Sequence, residues 1–143
     1  SVSAEDGSPM PARFSAAIGG KFGPYYSVEL KGGALTYEAY EWGGGPLQNK
    51  TRIVPTAEQW HSFRRSLDEL GVWRWRKSYV NKNVHDGTSW HLEIEFPGRN
   101  LIAGGSNSYP GAAGKPSNRE RPPKEFIAYL AAVSALIGGK PFS

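Results

Sequence analysis

Cysteine is absent from this chain of 143 residues, and methionine occurs once. Without thiols there can be no disulfide, no cysteine nucleophile and no thiolate metal site. Long apolar runs are missing too: no stretch approaches the ~18 residues that a membrane-spanning helix needs. Nor does one sign of charge dominate. Lys and Arg number 17 against 13 Asp and Glu, a formal net charge of +4. That mildly basic balance permits contact with nucleic acid or an anionic surface without arguing for either.

Rings and turn formers are plentiful instead. Five Trp, seven Tyr and six Phe offer large buried contact areas, while 18 Gly and 11 Pro imply many sharp turns. A chain of this length suits one domain, burying roughly 68–70% of its unfolded surface without any staple. Residues 1–9 are small, polar and aperiodic, so they read as a leader ahead of Met10, with 10–143 as a single α+β domain. No signal peptide follows Met10, which makes the cytoplasm the expected compartment.

Phe14, Ala16 and Ile18 alternate with Arg13, Ser15 and Ala17, a strand pattern that runs into Gly19-Gly20. Tyr26, Val28 and Leu30 make a second strand, and after Lys31-Gly32-Gly33 a third follows through Leu35, Tyr37 and Ala39. The segment from Gly43 to Lys50 reads as a loop. Thr56 then stands three residues before Gln59, the spacing of a capping box. Behind it Trp60, Phe63, Leu67 and Leu70 recur at helical intervals up to Gly71, with His61, Arg64, Arg65 and Asp68 on the opposite side. Alternation in "VWRWRKSYV" predicts an extended segment with Trp73, Trp75, Lys77 and Tyr79 on one side. A final helix is expected from about Pro123, its stripe formed by Phe126, Leu130, Val133 and Ile137 and its end by Gly138-Gly139. The order βββ-α-β-ββ-α predicts an antiparallel sheet of about five to six strands, with two helices packed on one face.

Between them lies "DGTSWHLEIEFPGRNLIAGGSNSYPG", Asp86 to Gly111. Trp90, Leu92, Ile94 and Phe96 alternate with His91, Glu93 and Glu95, and Leu101, Ala103 and Gly105 continue the inward face beyond a turn. A two-residue loop at Gly98-Arg99 would set Phe96 opposite Leu101, Ile94 opposite Ala103 and Leu92 opposite Gly105. His91 would then stand beside Ser106, Trp90 beside Asn107, and Thr88 near Tyr109. Asp86, Thr88, His91, Ser106, Asn107 and Tyr109 thus converge at the open end of this hairpin. Convergent hydroxyl, amide and carboxylate groups are what a hydrogen-bonding pocket requires. The same residues are also ordinary turn formers.

Signatures of chemistry mostly fail. "GGPLQNKT" imitates a phosphate-binding loop, but Asn49 replaces the glycine ahead of Lys50-Thr51, and "RIVP" cannot open a helix. "GGSNS" lacks the second glycine of a nucleophile elbow. His91 and Glu93, two apart on one strand face, resemble half of a two-histidine, one-carboxylate site, to which only His85 or His61 could add. No metal and no cofactor is expected. Arg74, Arg76 and Lys77 interleave with Trp73 and Trp75, the arrangement in which rings stack on bases while cations meet phosphates.

The elements Asp86-Gly87-Thr88-x-Trp90 and Gly105-Ser106-Asn107-x-Tyr109-Pro110, preceded by the Trp-rich segment, resemble small uncharacterised bacterial proteins across roughly residues 56 to 137. That resemblance implies one folded unit and carries over no catalytic residue. The expected function is a non-enzymatic binding or interaction domain using the loops at 86–88 and 106–111, its partner a protein or a small molecule. The alternatives are a small hydrolase or transferase built on His91, Ser106 and Asp86, and a nucleic-acid-binding module using Arg74, Arg76 and Lys77. No membrane partner is expected.

Overall fold

A computed structural model describes residues 10–20, 22–83, 87–119 and 121–143. The expected leader, residues 1–9, lies outside them, as do Asp86 and His85. The chain runs through β1 (Arg13–Gly20), β2 (Tyr25–Lys31), β3 (Ala34–Tyr40) and β4 (Leu47–Ile53) before α1 (Ala57–Leu70). A 3-10 turn (Val72–Arg74) leads to β5 (Ser78–Val80), and then come β6 (Thr88–Phe96) and β7 (Arg99–Ser106). Two short strands, β8 (Tyr109–Pro110) and β9 (Pro116–Ser117), flank a second 3-10 turn, and α2 (Lys124–Leu136) follows.

The architecture is α+β. Among the described residues, seven strands form one sheet in the order β4-β3-β2-β1-β6-β7-β5, with β8 and β9 paired separately. Neighbours are antiparallel except β5, which joins β7 in parallel. Register lines up the inward residues in rungs. Ala16 stands between Val28 and Leu92, and Leu92 pairs onward with Ala103; Ile18 stands between Tyr26 and Trp90. The two helices cover these rungs through Trp60, Phe63 and Leu67 of α1 and Phe126, Leu130 and Val133 of α2, all within one apolar core. Each such side chain contributes roughly 1.5–3 kcal/mol when fully buried.

The first helix forms as its sequence predicts. Thr56 Oγ1 accepts from Gln59 N at 3.1 Å while Thr56 N donates to Gln59 Oε1 at 2.7 Å, a closed capping box. Gly71 ends the helix at φ 68, a left-handed conformation that a side chain would resist.

Three expectations need correction. The sheet has seven strands rather than five to six, because the second half of the segment expected as a loop, from Leu47 to Lys50, opens β4. β4 is an edge strand exposed along most of its length, so no apolar alternation marks it in the sequence, and backbone pairing with β3 defines it. "VWRWRKSYV" is not one strand: Val72–Arg74 coil into a 3-10 turn, and only Ser78–Val80 pair. Three-residue spacing then sends Val72 and Trp75 together into the core, so the alternation that mimicked a strand came from a helical turn. Finally, the hairpin loop is Pro97-Gly98, not Gly98-Arg99. Phe96 pairs with Arg99, Ile94 with Leu101, Leu92 with Ala103 and His91 with Gly104. Proline's fixed φ suits the first loop position, and Gly98 supplies a φ of 78 at the second. The slip is two residues, one full strand period, so every side chain keeps its expected face.

Gly105 is pinched between elements. A Cβ built on it would stand 2.5 Å from Trp90 Nε1, 2.6 Å from Tyr79 O and 2.7 Å from Ser108 O. Gly105→Ala should therefore cost about 2–4 kcal/mol through overpacking and a disturbed indole hydrogen bond. Gly23 has open space around it and no positive φ. Gly23→Ala should be neutral or stabilise by about 0.4–1 kcal/mol through unfolded-chain entropy. Urea unfolding of the two variants checks both.

Candidate functional site

The open end of the β6–β7 hairpin is held by Asn107. Its backbone N donates to Thr88 O at 2.8 Å, and its side-chain Oδ1 accepts from Thr88 N at 2.8 Å. Asn107 sits at φ 56, a left-handed conformation that asparagine tolerates better than most residues. Gly87 faces that side chain so closely that a Cβ would overlap Asn107 Oδ1. Trp90 Nε1, two residues beyond Thr88, donates to Ser108 O at 2.9 Å inside the core. Much of the expected cluster is therefore structural.

The structure divides the expected residues. Thr88 and Tyr109 come together: their side chains share a hydrogen bond, and both line one cleft. Burial raises the Tyr109 pKa above 10.0, and the hydrogen bond with Thr88 opposes part of that rise. Asn107 holds the strand ends. His91 lies on the other, open face of the sheet, exposed, across from Gly104 rather than Ser106. Ser106 pairs with Ser89, two positions along from the His91 rung. Such diagonal partners stand roughly 7–8 Å apart at the backbone. Asp86 lies outside the described residues.

The cleft measures about 840 Å³. One wall is the end of β1 with the β1–β2 loop, including Ile18, Phe22 and Pro24; Thr88 and Tyr109 form its base. The other wall is α2 with the tail behind it, including Ile127, Leu130 and Phe142. That tail is fastened to the sheet by Tyr37 Oη, which donates to Pro141 O at 2.7 Å, and to α2 by Ser134 Oγ, which donates to Lys140 O at 2.7 Å. Along these walls Phe22 and Ile127 keep 74% and 40% of their surface exposed, apolar area open to a ligand. Sequence reasoning missed these walls. One sign was available: Ile127, Tyr129 and Leu136 lie off the expected stripe of α2, so the helix is apolar over more of its circumference than one buried face requires.

The tryptophans of the basic segment are engaged elsewhere. Trp75 is buried against Trp90, Phe126 and Tyr129, with centroids 5.9, 6.1 and 5.3 Å away. Trp73 Nε1 donates to Asp68 Oδ1 at 2.8 Å, and its ring meets Phe96 edge-on. Arg74, Arg76 and Lys77 are exposed, but Trp75 offers no free face on which a base could stack. Among the described residues, no three His, Cys, Asp or Glu side chains gather closely enough to hold a metal ion, and no helix is long and apolar enough to cross a membrane. The chain matches no known protein family and no curated protein.

Asn107→Ala should destabilise the protein by about 2 kcal/mol, combining a lost hydrogen bond with left-handed strain. Asn107→Gly should recover only the strain, and urea titration separates the two terms. A second prediction concerns pH. Burial raises the pKa of Tyr37, Tyr79, Tyr109 and Tyr129. Above about pH 10 the unfolded chain's tyrosines ionise while these stay protonated, so the unfolded state binds fewer protons and stability falls with rising pH. Below that pH these groups add no slope. Phenolate absorbance followed alongside unfolding midpoints should show ionisation and loss of structure arriving together.

Proposed function

We propose that this protein is a binding domain without catalysis of its own. Its site is the cleft at the open end of the hairpin, and its ligand is a small molecule with a mainly apolar body. The observation that carries this reading is a pair of hydroxyls, on half-buried Thr88 and buried Tyr109, at the base of a concave, largely apolar cleft of about 840 Å³. Small-molecule sites typically span 300–1,000 Å³ and combine apolar walls with a few fixed polar groups. The hydroxyls orient the ligand; the ring of Phe22 and the aliphatic face of α2 supply contact area. Loop 86–88 contributes through Gly87 and Thr88, and loop 106–111 through Tyr109.

A neutral, environment-sensitive naphthylamine dye should bind with enhanced fluorescence. Ala131 lines the cleft from the exposed side of α2, so Ala131→Trp fills the space without touching the core. The variant should melt within about 2 °C of the parent, as surface changes of under 0.5 kcal/mol do, and lose dye binding at least about tenfold, 1.4 kcal/mol. Equal dye affinity in both proteins would place the dye elsewhere and remove the reading.

A further inference from the structure

We propose that the cleft takes a free, single-chain amphiphile with an anionic head, its chain lying between the β1–β2 loop and α2 and its head against Arg121. This rests on the binding reading above and adds the ligand's charge and orientation. The cleft does not end at its apolar walls. A second groove of about 570 Å³ runs along the 111–123 loop and shares Arg121 and Pro122 with it. Lys115, Arg119 and Arg121 line that groove, and no described Asp or Glu lines either space.

Arg121 is exposed and joins no ion pair among the described residues. Arg52, Arg65, Arg74, Arg76 and Arg119 likewise join none among the described residues, and what distinguishes Arg121 is that it is the one charged residue lining both spaces. An unpaired arginine where an apolar trough meets a cationic one matches a ligand that is apolar along its length and negative at one end. A carboxylate or phosphate head can take two parallel hydrogen bonds from such a fork. Lys115 and Arg119 add attraction at longer range, which salt weakens. Apart from Arg121, the described side chains that line the cleft carry no charge, so the head has one preferred partner. Phe22 and Ile127 line a concave wall instead of projecting from a convex surface, which fits a chain withdrawn from water better than a face pressed onto a bilayer.

Displacement of the neutral dye tests the assignment, with decanoate and decanol as matched competitors for the parent and for Arg121→Gln. Because Arg121 is exposed, the variant should melt as the parent does. In the parent at low salt, decanoate should compete about tenfold more strongly than decanol. Arg121→Gln should erase most of that preference and leave decanol unchanged. Equal competition by the two in the parent, or a preference untouched by Arg121→Gln, overturns the anionic head while leaving the cleft as a binding site. A dye that fails to bind the parent overturns the cleft itself. Cosedimentation with phosphatidylglycerol vesicles, together with indifference to decanoate, overturns the free ligand in favour of a lipid surface.

Discussion

Trp90 packs its indole against Trp75, Tyr79 and Phe126, with ring centroids 5.9, 5.8 and 5.0 Å away, and donates its one hydrogen bond to Ser108 O at 2.9 Å. That contact joins every layer of the fold: the middle of the sheet, the 3-10 turn after α1, the parallel edge strand and the face of α2. Offset and edge-on ring pairs add about 0.5–1.5 kcal/mol each beyond burial. The polar end of the indole is satisfied, so the large side chain enters the core without an orphaned donor. Phe126 extends the cluster to Tyr109 at 4.9 Å and Tyr129 at 5.4 Å, so the base of the cleft rests directly on this aromatic centre.

The two ends of the β6–β7 hairpin are treated differently. At the turn, Asp68 of α1 gathers Trp73 Nε1, Arg64 and Arg99, while the Arg64 guanidinium lies 4.2 Å over the Phe96 ring. These are partly exposed pairs, worth little singly, but they close that end against the helix. At the open end the closing contacts are backbone and amide hydrogen bonds tucked under the sheet, through Asn107 and Thr88. Above them the Tyr109 ring meets Phe126 of α2 at 4.9 Å, and the cleft lies beside that contact, between the β1–β2 loop and α2. Tyr79 fixes the neighbouring loop from beneath, accepting from Arg76 N at 2.8 Å and donating to Gly114 O at 2.6 Å.

Hydroxyls, amides and glycines that look like a reaction cluster in the sequence divide into two kinds of work. Gly87, Gly105 and Asn107 are dictated by close approach and a left-handed backbone, which makes them structural. Thr88 and Tyr109 face usable space. Turn-forming and ligand-orienting residues come from the same short polar set, so composition alone cannot separate them. His91 differs again. Strand alternation already assigned it to the face opposite Trp90, and the cleft opens on the Trp90 side.

Local rules written in adjacent residues carried through intact: the alternation of Phe14, Ala16 and Ile18, the Thr56–Gln59 capping box, the Gly71 stop and the amphipathic stripe of α1. Each is decided by energies acting within a few positions of the chain. β4 and the Trp73–Trp75 segment did not read through, because their form depends on pairing with β3 and on packing against Trp90 and Phe126, partners remote in sequence. The hairpin shows the boundary most clearly. Alternation alone determined which residues face the core, since faces repeat every two positions; the choice of Pro97-Gly98 as the loop set which residues stand opposite. The cleft belongs wholly to tertiary structure. Its walls come from the β1–β2 loop, α2 and the tail, three segments with no local reason to meet, brought together when burial of the aromatic cluster seats α2 on the sheet.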